Sequence, residues 1–113
     1  MGLKKSIELE NGIILNYHRI TSINKITNIS NNIEISSYTS KTQREKEKAY
    51  QELQMKKANG KELTSEEESQ LDKGIDVFID TDYISAPYEE NMNIKDTYKY
   101  LKTLDKFKDA IDD

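Results

Sequence analysis

The chain contains no cysteine and no tryptophan, one histidine and one proline. Without cysteine it can form no disulfide, no thiolate metal site and no cysteine nucleophile. No apolar stretch reaches the roughly 20 residues that span a bilayer as a helix, and no signal peptide opens the sequence. Synthesis and folding in a cytoplasm is the setting this predicts. Its four glycines make no phosphate-cradling pattern; Gly12, Gly60 and Gly74 stand where turns or helix stops are expected. Basic residues gather nowhere into a patch, which argues against nucleic acid as a partner. No nucleophile–base pair is visible in the order of residues, so the sequence reads as non-enzymatic, with no cofactor.

What is present is mostly charge and tyrosine. In 113 residues, 35% are hydrophobic and 34% charged, against about 45–50% and 25% in typical domains. One domain of this length builds one modest core, and this one is thin. Either part of the chain sits outside it or a partner completes it. Net charge is −4, unevenly spread. Residues 1–40 carry four basic and three acidic side chains, residues 41–74 eight of each, and residues 75–113 five basic and ten acidic.

The pattern changes near residue 40. Before it, apolar and β-branched residues alternate with Asn, Ser and Thr, predicting three or four antiparallel strands. Glu10-Asn11-Gly12 is a hairpin turn signal. A three-residue loop with Gly12 left-handed pairs Leu9 with Ile13 and Ile7 with Leu15, which segregates apolar from polar faces; a two-residue loop would mix them. Ile23 and Ile29 are in phase while Ile26 is not, which predicts a bulge or bend. Asn31-Asn32 suits a turn, after which Ile33, Ile35, Ser37 and Thr39 share a strand face.

Residues 41–74 predict a helical hairpin inserted between strands. Residues 42–57 are rich in good helix formers, and Thr42 with Glu45 has capping-box spacing. Asn59-Gly60 supplies a stop. Thr64 with Glu67 opens a second helix that ends at Gly74, with Glu66, Glu67 and Glu68 in its dipole-favoured first turn. The apolar stripe of the hairpin is meagre (Ala49, Tyr50 and Leu53, with Met55 at its margin), so it is expected to project from the body or lie on a neighbouring subunit. Residues 75–84 alternate as a strand closed by Pro87. Residues 94–111 have helical spacing, with Ile94, Tyr98, Leu101, Leu104 and Ile111 in a stripe and Tyr100 and Phe107 at its border. The resulting expectation is an α+β fold: an antiparallel sheet of four to five strands, the helical insertion at about 41–74, and a C-terminal helix, in a single domain over 1–113.

Candidate sites are few. His18 invites a general-base reading, but it shares the polar strand face with Asn16 and no Ser or Asp motif frames it; a surface or half-buried polar residue is the plainer reading. Asp76, Asp80 and Asp82 fall on one strand face, as ligands of a hard cation would. Their spacing does not match the EF-hand loop, and solubilising charge at a sheet edge is the plainer explanation. The acidic run from Asp105 to Asp113 suits a docking tail or a solvated terminus. Tyr17, Tyr38, Tyr50, Tyr83, Tyr88, Tyr98 and Tyr100, with Leu53, divide between core and interface, because tyrosine is enriched at both half-buried sheet faces and binding surfaces.

Three stretches carry a family resemblance: IELENGIILNYHRI (7–20), IEISSYTS (33–40), and YISAPY (83–88) with YKYLKTLDKF (98–107). They resemble small proteins encoded among the tail and host-lysis genes of phages and prophages of low-GC Gram-positive bacteria. The resemblance implies a tail or baseplate structural component, made in the host cytoplasm and then part of the virion. It implies a homo-oligomer in contact with other tail proteins and no active-site residues. Set against this is a small intracellular regulator or inhibitor whose acidic C-terminal half engages a basic host protein. A hydrolase acting through His18 and a carboxylate is the remaining class.

Overall fold

The computed structural model describes residues 2–113. Strands β1 (Leu3–Glu8), β2 (Ile14–Ile26) and β3 (Ser30–Tyr38) come first. Helices α1 (Lys41–Ala58) and α2 (Ser65–Lys73) follow, then β4 (Ile79–Pro87), α3 (Ile94–Leu101), a 3₁₀ turn at Asp105–Phe107 and a short β5 (Ile111–Asp112). The fold is α+β. All five strands form one antiparallel sheet in the order β4-β3-β2-β1-β5, and the two inserted helices connect β3 to β4.

The first hairpin has the register that segregates its faces. Ile7 lies opposite Leu15, the Leu9 N–H donates to the Ile13 carbonyl at 2.8 Å, and Gly12 closes the loop at φ +88°. That backbone region is open to glycine at no steric cost. Further on, the expected disturbance near Ile26 falls instead between Ile20 and Ser22. One extra residue there brings Ile20 and Ile23, three apart in sequence, into line opposite Ile35 and Ile33. The bend to β3 is made not by Asn31-Asn32 but by residues 27–29, with Asn28 left-handed at φ 62°. Asn31 is a buried β3 residue whose amide donates to the Glu89 carbonyl at 2.9 Å.

On one face of the sheet Leu3, Ile20, Ile33, Ile35 and Ala86 pack against Tyr98, Leu101 and Phe107. Helix α3 starts in a reciprocal capping box between Asn93 and Asp96. The Ile20 N–H, beside the bulge, donates to the Tyr98 hydroxyl at 2.9 Å. The C-terminal helix is shorter than the periodicity suggests: it ends at Leu101, and Ile94 and Ile111 of the expected stripe are exposed. Phe107 explains the break. It lies nine residues beyond Tyr98, about two and a half turns, so a continuous helix would aim it away from the sheet. Ending the helix lets this ring be buried completely, a gain of roughly 1.5–3 kcal/mol for a large apolar side chain. Asp109 then turns the chain at φ 65°, and Ile111 and Asp112 pair with Lys4 and Leu3. Part of the acidic run thus covers the Leu3–Lys4 end of the edge that β1 would otherwise expose. Lys41 and Lys102 bind Asp113 and Asp112 at 2.9 and 2.6 Å.

On the opposite face Tyr17 and Tyr38 lie under the first half of α1. Ser40, not Thr42, caps that helix, accepting from the Gln43 N–H. The helix is pinned by Glu47, a buried carboxylate that accepts from the Tyr38 hydroxyl at 2.6 Å and from Arg44 at 2.7 Å, with Arg19 at 3.8 Å. The inserted hairpin therefore does not merely project: its first helix is bound to the sheet by polar contacts. Both expected stops are present, with Gly60 and Gly74 at φ +74° and +70°. Thr64 and Glu67 form the second capping box as expected. Strand β4, however, begins at Ile79 rather than Ile75. Its first pair is Tyr38 with Ile79, and beyond Tyr38 the β3 chain turns away toward α1, which leaves residues 75–78 nothing to pair with.

Candidate functional site

The single histidine is neither on the surface nor half-buried. His18 is buried in β2, opposite Leu3 and Ser37, with its ring edge-on to Phe107 at 5.2 Å between centroids. Its Nε2 is 2.7 Å from the Lys5 carbonyl, which only accepts, so Nε2 carries the hydrogen and Nδ1 accepts from the Ser37 hydroxyl at 2.7 Å. Burial, reinforced by the nearby Lys106 charge, holds the imidazole below its ordinary pKa, against the pull of the Lys5 carbonyl. The Ser37–His18 contact has the length of a nucleophile–base hydrogen bond. Both side chains are nevertheless buried, His18 against Phe107 of the C-terminal segment.

The three aspartates do not act together. Asp76 lies before the strand, while Asp80 and Asp82 sit opposite Ser37 and Ile35. Asp82 binds Lys106 at 2.8 Å, and that contact holds its carboxyl below the usual range. Among the described residues no group of three or more His, Asp or Glu side chains is placed to hold a metal ion.

The tyrosines separate clearly. Tyr17, Tyr38 and Tyr98 are buried in the chain's own core, and so present no ring to a partner. Tyr50, Leu53, Tyr88 and Tyr100 are half-buried, and Tyr83 is 67% exposed. Tyr50 donates its hydroxyl to the Leu71 carbonyl at 3.3 Å, joining α1 to α2. With Ala49, Leu53 and Ile75 it lines an open groove of about 400 Å³ at the mouth of the helical hairpin.

Exposed apolar side chains gather from this groove into β4: Ile75, Phe78, Ile79 and Tyr83. Strand β4 is also the sheet's uncovered edge. The direction of its free polar groups follows from one hydrogen bond. The Tyr83 N–H donates to the Asp82 carboxylate at 2.9 Å, and so points away from β3. By the alternation of an antiparallel ladder, the N–H and C=O groups of Thr81 and Ser85 point outward too. Pro87, in the same phase, puts its missing N–H on the open side, where a sheet tolerates proline. The odd-numbered side chains Ile79, Thr81, Tyr83 and Ser85 are all exposed, while α1 packs over β2 and β3.

Sequence reasoning singled out Tyr83 but missed Phe78 and Ile79, which it placed on opposite strand faces as ordinary alternation. It also missed Glu47 and Ser37. Nothing in a run holding eight acids and eight bases marks Glu47 as the buried one. Ser37 could have been found from the strand pairing that sets it opposite His18. Among the described residues no helix is long and apolar enough to cross a membrane. Comparison of the chain with models of protein families, with curated proteins and with solved structures found no match.

Proposed function

We propose that this chain is a non-enzymatic structural or assembly protein that works by protein–protein contact, in the tail or baseplate of a phage of low-GC Gram-positive bacteria. The observation that carries the reading is the β4 edge: nine residues of strand, open along one side and bordered by exposed Ile75, Phe78, Ile79 and Tyr83. An open edge beside apolar surface is a template for a further strand. The resemblance of residues 7–20, 33–40, 83–88 and 98–107 to tail-associated proteins supplies the setting. The burial of the Ser37–His18 pair supports a role without catalysis. Regulation through an acidic half is less favoured, because Asp82, Asp112 and Asp113 are already engaged by Lys106, Lys102 and Lys41.

Quantitative mass spectrometry of purified particles from a producing strain tests this reading. The chain should be present in fixed ratio to the major tail protein. Particles that are infectious and lack it would overturn the assignment.

A further inference from the structure

We infer that the β4 edge binds the β4 edge of a second copy of this chain, antiparallel, about a two-fold axis at Tyr83. The inference rests on the reading above only in taking this edge as a protein-binding surface; it does not depend on the virion.

Three observations select a second copy. At the opposite end of the sheet β5 is only two residues long and caps Leu3 and Lys4 of β1, whereas β4 presents nine residues of edge strand. Self-pairing of the β4 edge uses the same edge on both subunits and closes at two. Next, the outward groups belong to Thr81, Tyr83 and Ser85, and an antiparallel copy centred on Tyr83 matches them to Ser85, Tyr83 and Thr81. Every outward N–H of these residues then meets an outward carbonyl. Finally, charge selects this register. Centring on Thr81 would set Asp80 directly against Asp82 of the other copy, and like charges directly opposed destabilise a pair. Centring on Ser85 would set Pro87, which has no N–H to donate, against Tyr83 in the middle of the strand and leave Ile79 unpaired, whereas centring on Tyr83 sets Pro87 against Ile79 at the end of the ladder. Centring on Tyr83 opposes Asp82 to Ile84, Asp80 to Ala86, and the two Tyr83 rings to each other on the side that α1 leaves uncovered. Pairing exchanges one contact: the Tyr83 N–H leaves the Asp82 carboxylate for a main-chain carbonyl, and Asp82 keeps Lys106.

The absence of cysteine makes the register directly readable. Cα atoms of facing residues in such a pair are about 5.5 Å apart, within disulfide reach. Three single-cysteine variants, Tyr83→Cys, Thr81→Cys and Ser85→Cys, are oxidised at equal concentration and resolved by non-reducing electrophoresis. Tyr83→Cys alone should give a covalent dimer. Thr81→Cys and Ser85→Cys should each stay monomeric, and a mixture of those two should cross-link. All three sites are exposed or nearly so, and light scattering of the unmodified chain reads association with no substitution at all. Equal cross-linking by the three single variants would overturn the register. A unmodified chain that remains monomeric at millimolar concentration would overturn the dimer. A monomer found in particles would still leave the structural role standing, and a dimer absent from them would remove that role alone.

Discussion

His18 is the one side chain here whose ordinary titration falls between pH 5 and 8, and burial changes what that titration does. The folded chain holds the neutral ring, with Ser37 donating to Nδ1 and Nε2–H donating to Lys5. Its pKa is lowered by burial, whereas the unfolded chain has the ordinary value near 6.5. The unfolded state therefore binds the proton more readily. The stability this residue contributes is complete above pH 6.5 and is lost as pH falls from there toward the folded pKa. The melting temperature should drop between pH 7 and 5, and His18→Gln should flatten that drop. An equally steep fall in the variant would assign the effect elsewhere. Glu47 offers a different test. Glu47→Ala leaves the Tyr38 hydroxyl without its acceptor and Arg44 without its carboxylate, and should cost about 2 kcal/mol in urea unfolding. Tyr38→Phe should cost less, because it removes the donor and leaves Glu47 its arginines. The reverse order would show that the tyrosine, not the carboxylate, holds α1 down.

Strands and helices differ in how much of them could be read from the residues. The first hairpin was legible because Ile7, Leu9, Ile13 and Leu15 can share a face in only one register and Gly12 supplies the conformation it needs. Helix α2 was legible because Thr64, Glu67 and Gly74 mark both of its ends locally. Segments decided by distant partners were not. Residues 75–78 alternate like a strand yet have no neighbour to pair with once β3 ends. Residues 102–113 have helical spacing, but burying Phe107 beside His18 and covering the β1 edge outweigh it. The position of His18 was misjudged for the same reason: a polar face on β2 becomes core when a later segment folds over it. Removing Ile111–Asp113 uncovers Leu3 and Lys4 and so opens β1 along its whole length as a second edge. Sedimentation velocity should then show species larger than a dimer, and an unchanged distribution would show that β5 is not what caps the sheet.

The sheet is covered on one face by α3 and the Phe107 turn, over β2 and β3 of the other by α1, and at the Leu3–Lys4 end of one edge by β5. The longest edge strand left open is β4, with apolar residues beside it, which accounts for a thin core without requiring a large missing layer. A second chain at that edge would add a strand to each sheet and extend the β-structure across both copies. The alternation along β4 makes this measurable at single amides. The N–H groups of Asp82 and Ile84 point into the sheet and should be protected from hydrogen exchange at every concentration. Those of Thr81 and Ser85 point outward and should exchange fast when the chain is dilute. Residue-resolved amide exchange by NMR, from micromolar to millimolar chain, should therefore show protection of Thr81 and Ser85 rising with concentration while Asp82 and Ile84 stay constant. Fast exchange at Thr81 and Ser85 throughout that range would contradict the open-edge account.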